Sequence, residues 1–102
     1  ARMITAAQLR AARALLGLDQ RQLADLAGLS APTIQRMEAS DGLIRGNVDS
    51  LMKLTAALDR AGVELIAEGA ASQSDGRGVR LKAGDAARAL AAEAGAAQEG
   101  RP

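Results

Sequence analysis

A chain of 102 residues with no Phe, Tyr, Trp, Cys or His has only aliphatic side chains from which to build a core. Apolar residues make up 48 % of it, about half of them alanine, and the larger ones are mostly leucine. Such a core suits packed helices, because Ala, Leu and Met are strong helix formers. Its length supports one small domain. The missing residue types also exclude chemistry. No disulfide can form, and neither Cys nor His is present to hold zinc. A Ser–His or Cys–His nucleophile is impossible, so an enzyme is not expected. No ring can stack on an unpaired base, which argues against a reader of single strands or RNA. No cofactor, metal site or inducer pocket is indicated. Apolar runs fall well short of the roughly 18 residues of a membrane span, so no membrane partner is expected. Without a visible secretory signal the cytoplasm is the default location. Met3 reads as a start residue, with Ala1 and Arg2 as additions before it.

Charge is nearly balanced, at +1. Residues 1–45 carry six Arg against four acids, whereas residues 46–82 balance five against five. The positive excess is therefore N-terminal and consists of arginine, whose planar fork suits phosphate and guanine.

Caps and glycines cut the first half into short helices. Thr5 with Gln8 three residues later forms a capping box, followed by Leu9, Ala12, Leu15 and Leu16 at helical spacing and Gly17 as the stop. Asp19 starts a second helix with Leu23, Leu26 and Ala27 inward, ended by Gly28. Ser30 caps a third, with Pro32 in its first turn and Ile34 and Met37 inward. Residues 40–46 read as a loop. Asn47 caps a longer helix with Leu51, Leu54, Leu58 and Ala61 inward, closed by Gly62.

The period then changes. Residues 63–68 and 79–82 read as two short strands joined by a Gly/Ser-rich loop, a β-hairpin whose open edge and apolar side chains would support dimerisation. Residues 83–102 hold nine alanines and one large apolar residue, Leu90. They read as a mobile tail, with Asp85 able to cap a marginal helix to about residue 94. The expected organisation is a helical domain over 1–62, the hairpin over 63–82 and the tail over 83–102.

The informative segment is Leu16 to Glu38, two short helices joined at Gly28-Leu29-Ser30. Glycine permits the sharp turn, Ala24 leaves room for the second helix, Leu29 plugs the space between the two, and Ser30 caps the second. Gly17-Leu18, Asp19-Gln20, Leu23-Ala24, Ala27-Gly28-Leu29-Ser30, Thr33-Ile34 and Arg36-Met37-Glu38 together resemble the phage-repressor-like (Cro/repressor, XRE) helix-turn-helix family. The resemblance covers about residues 6–61. It implies a mainly α, four-helix lambda-repressor-like domain that binds double-stranded DNA as a regulator of transcription, usually as a homodimer. The family commonly has a fifth helix where this chain turns to strand pattern.

On a helix turning about 100° per residue, Arg36 and Pro32 point away from Ile34 and Met37, with Gln35 flanking them. The resemblance places base contacts at the first turn and one turn later, here Ala31, Pro32, Gln35 and Arg36. Ala31 and Pro32 can touch only a thymine methyl, whereas Arg36 can fork onto guanine and Gln35 onto adenine. Gln20 and Asn47 each stand at a helix N-terminus suited to phosphate, and Arg45 precedes Asn47 in a loop that can reach a phosphate or the minor groove. Arg21 and Thr33 are weaker candidates. Glu38 lies about 70° from the buried centre of its helix. The family pairs this acid with an arginine of the first helix, which here is Arg13. Two other functions fit the same domain: an autorepressing antitoxin whose C-terminal half masks a toxin protein, and a protein-interaction module that does not bind DNA.

Overall fold

The computed structural model describes residues 4–82 and 90–95. Four helices form the body: α1 (Ala6–Leu16), α2 (Gln20–Ala27), α3 (Ala31–Glu38) and α4 (Val48–Arg60). Each starts where a side chain takes over orphan backbone donors. Thr5 and Gln8 close a reciprocal capping box on α1, and Asp19 and Gln22 close another on α2. Ser30 caps α3 through the Thr33 N–H, and Asn47 caps α4 through the Ser50 N–H at 2.7 Å. α1 and α2 end alike. Gly17 and Gly28 both adopt φ 70°, and the N–H of the following leucine reaches back to Arg13 O or Ala24 O. That left-handed residue is what glycine supplies without strain.

α2 packs on both α3 and α4, and α1 packs on α3. The core joins Leu9, Leu23, Ile34, Met37, Leu54 and Leu58 with Ile4, Ile44 and five helical alanines around them, Ala6, Ala12, Ala24, Ala27 and Ala57. Ile4 and Ile44 come from outside the helices. The Ile44 N–H donates to Ile4 O and the Ala6 N–H to Gly42 O, which ties the α3–α4 loop to the start of α1. Leu15 and Leu26, expected inward, are 58 % and 40 % exposed. Each lies too far round its helix from the buried side chains. Leu15 stands about 90° from the midline of Leu9, Ala12 and Leu16, and on α2 Ala24 takes the inward place instead.

The hairpin is not formed. No strand is present among the described residues, whose one bridge pairs Thr5 with Leu43. Val63 and Leu65 pack against the helical core, so the packed body runs past Gly62. The polar groups that a ladder would use are taken locally. The Val63 N–H donates to Leu58 O, and the Gln8 amide donates to Ile66 O at 3.0 Å. The Glu64 carboxylate accepts from Ser72 Oγ, the Gln73 N–H and Ser74 Oγ, and the Arg80 guanidinium donates to Ala67 O and Ala70 O. Val79 and Leu81 are left about 80 % exposed. A lone two-stranded ribbon has too little to bury, and these side-chain bonds replace it. Residues 90–95 are helical, with Leu90 66 % exposed. The rest of the expected tail lies outside the described residues.

Candidate nucleic-acid interface

The outward face of α3 is set by what its inward face does. Ile34 and Met37 are buried, which turns Pro32, Gln35 and Arg36 to solvent. Ala31 is different: half-buried, it packs against the core. Thr33 is half-buried, and its Oγ1 lies 2.8 Å from Ser30 Oγ. The Arg36 guanidinium folds back along the helix and donates from Nη2 to Thr33 Oγ1 at 3.3 Å. Ser30, Thr33 and Arg36 thus form a connected polar row.

Glu38 closes the other side of the helix. It is 5 % exposed, and its carboxylate accepts from Arg13 Nε at 2.8 Å, Arg13 Nη2 at 2.9 Å and Gln20 Nε2 at 3.2 Å. Arg13 also donates from Nη1 to Leu18 O, while Arg10 donates from Nη1 to the Glu38 carbonyl. One carboxylate therefore joins α1, the start of α2 and the end of α3. Burial pushes the Glu38 carboxyl up, but hydrogen bonds from Arg13 and Gln20 and the charges of Arg13 and Arg10 outweigh it and hold the carboxyl below its ordinary value. The Glu38 hydrogen bond in turn raises Arg13. A buried charge is tolerable when it is paired and its lone pairs are filled.

Gln20 is placed at the first turn of α2, with its amide turned onto Glu38. Arg21 beside it is exposed. At the far end of α3, Arg45 and Asn47 are exposed around Gly46. A Cβ on Gly46 would lie 3.0 Å from Met37 Cε, so the loop rests directly on α3 and sets Arg45 and Asn47 beside it. Asn47 Oδ1 accepts the capping bond, so the side-chain NH2 group takes no part in the cap. Arg10 escaped the sequence reading. Its spacing of three from Arg13 on one helix was the available signal. Gln20 was read for a phosphate, and nothing in its spacing pointed to Glu38.

A hollow of about 630 Å³ between Ile4, Gln8, Asp59 and residues 62–74 shares no residue with this face. Among the described residues there is no cluster of carboxylates able to hold a metal ion, and no helix is long and apolar enough to cross a membrane.

No curated protein matches the chain. A family model described as Helix-turn-helix matches residues 9–65, from within α1 through α4 to Val63 and Leu65. The match spans more than half of the sequence. Two short helices crossing at a left-handed glycine, with a braced and outward-facing α3, thus belong to a member of the Cro/repressor-type (XRE) helix-turn-helix family of DNA-binding transcription regulators.

Proposed function

We propose that the protein binds specific sequences in double-stranded DNA and represses transcription by occupying them, with α3 in the major groove. The observation that carries this reading is the solvent face of α3, where Gln35 and Arg36 stand opposite Ile34 and Met37. Arg36 reads guanine and Gln35 adenine, while Ala31 and Pro32 offer at most apolar contact with a thymine methyl. Arg45, Asn47 and Arg21 contact the sugar–phosphate backbone. The N-terminus of α2 receives a phosphate through its backbone N–H groups, with Gln20 holding that end to α3. The packed unit that does this runs from residue 4 to residue 65. The experiment is selection of bound sequences from a random duplex library, followed by gel shifts at two salt concentrations. A recovered consensus with steeply salt-dependent affinity supports the reading. Retention of no duplex at low salt overturns it.

We further propose that two copies bind together, matching a two-fold site. Val79 and Leu81 support this, since both are exposed apolar side chains on a segment that has found no strand partner within the described residues. Sedimentation at high concentration tests it. A dimer that dissociates in Val79→Ser with Leu81→Ser agrees, whereas a monomer throughout refutes it.

A further inference from the structure

We propose that Thr33 is a positioning residue for base reading: its hydroxyl holds the Arg36 guanidinium in the orientation that meets a base edge. This rests on the reading that α3 enters the major groove and that Arg36 contacts a base.

The observation is the row of three polar side chains along α3. Ser30 Oγ and Thr33 Oγ1 lie 2.8 Å apart, and Arg36 Nη2 donates to Thr33 Oγ1 at 3.3 Å. The row starts from a fixed point, because Ser30 Oγ also accepts the Thr33 N–H that it caps. A helical threonine ordinarily divides between two χ1 rotamers. The contact with Ser30 favours the rotamer that turns Oγ1 toward Arg36. That gives the guanidinium a local acceptor three residues before it, close enough to hold a side chain that is otherwise free in solvent.

The chemistry of reading is compatible with the tether. A guanidinium has five N–H donors. Donating one from Nη2 to Thr33 leaves four, and a two-bond fork onto guanine O6 and N7 needs two of them. An untethered arginine surrenders much rotamer freedom on being fixed against a base. Thr33 removes part of that loss beforehand and restricts the directions in which the fork can point. Selectivity at the base that Arg36 meets should therefore depend on a residue that touches no base itself. Sequence reading gave Thr33 a different role, as a weak phosphate contact, and the two roles leave different traces.

The experiment uses the full chain and the best duplex from the random-library selection, together with that duplex substituted at each base pair in turn. Arg36→Ala first locates the base pair at which preference collapses. Thr33→Val, which keeps the branched shape and removes the hydroxyl, should then reduce preference at that same base pair by roughly two- to tenfold. Preference elsewhere and the salt slope should not change, and Thr33→Ser should restore the wild-type pattern. Adding Thr33→Val to Arg36→Ala should change nothing further at that base pair. Thr33→Ala, read at the same base pair, serves if the valine disturbs the first turn of α3. Unchanged preference in both Thr33→Val and Thr33→Ala overturns the proposal while leaving base reading by Arg36 intact. A uniform loss on all duplexes with a shallower salt slope also overturns it, because Thr33 would then be a phosphate contact. If Arg36→Ala has no base-specific effect, the parent reading fails and this proposal fails with it.

Discussion

Glu38 is the residue on which most of the helix-turn-helix geometry converges. Removing Arg13 would leave a carboxylate that is only 4 % exposed without its main partner. Arg13→Ala should therefore destabilise the fold by about 2 kcal/mol, below the full cost of a broken buried pair because Arg13 itself keeps some solvent contact. Arg13→Met with Glu38→Leu should recover much of that loss in urea titrations. The pH dependence has a definite sign. Glu38 is held below its ordinary value in the folded chain. The unfolded chain therefore takes up its proton first, and the stability this carboxylate contributes is complete above the unfolded value. It is lost as pH falls through the carboxylate range toward the folded value. Melting temperature should drop between about pH 5 and pH 3, and less steeply in the Arg13→Met, Glu38→Leu double variant. On the DNA face, Arg36→Ala should weaken the best site by about 1–3 kcal/mol and relax preference at one base pair per half-site. Arg45→Ala should weaken every duplex about equally and lower the salt slope by about one unit. A change of base preference in Arg45→Ala would move that residue into the minor groove as a reader.

At the scale of elements, the turn between α2 and α3 depends on backbone and not on side-chain space. Gly28 has φ 70° and nothing within 4 Å of the position a Cβ would take. Gly28→Ala should cost about 1–2 kcal/mol from the left-handed conformation alone. Gly46 presents the opposite case. Its Cβ would meet Met37 Cε at 3.0 Å, so Gly46→Ala must displace a flexible side-chain end, and its melting shift measures how far Met37 can yield. The helices themselves were largely legible. Thr5, Asp19, Ser30 and Asn47 are the observed caps. Less legible was the width of each buried stripe. Leu15 and Leu26 satisfy a loose helical spacing, yet the neighbouring elements do not cover that side of α1 or α2.

For the whole molecule the question is where the folded body ends. Val63 and Leu65 pack on the helices, and Gln8 holds Ile66 O. A chain truncated after Gly62 should lose about 2 kcal/mol, since two half-buried apolar side chains and the acceptor of the Gln8 hydrogen bond go with the segment. A chain truncated after Lys82 should melt within a few degrees of the full one. Equal melting of both truncations would show that residues 63–66 only lean on the body.

The sequence by itself determined what local chemistry controls. Capping hydroxyls and carboxylates, left-handed glycines and the Ile34/Met37 stripe each act within one or two helical turns, so their spacing carried the helix-turn-helix and the outward direction of Arg36. Tertiary structure decided the rest. Ile44 was read as loop and is core, because a bridge to Thr5 draws that loop over α1. Residues 63–68 alternate like a strand, yet alternation supplies no partner, and Val63 and Leu65 pack on the helical core while Gln8 takes Ile66 O. The Gln20 amide reaches Glu38, 18 residues away in sequence, a partner that its place at a helix start did not announce. A buried carboxylate gathers every donor within reach, and which donors are within reach is known only once the helices have packed.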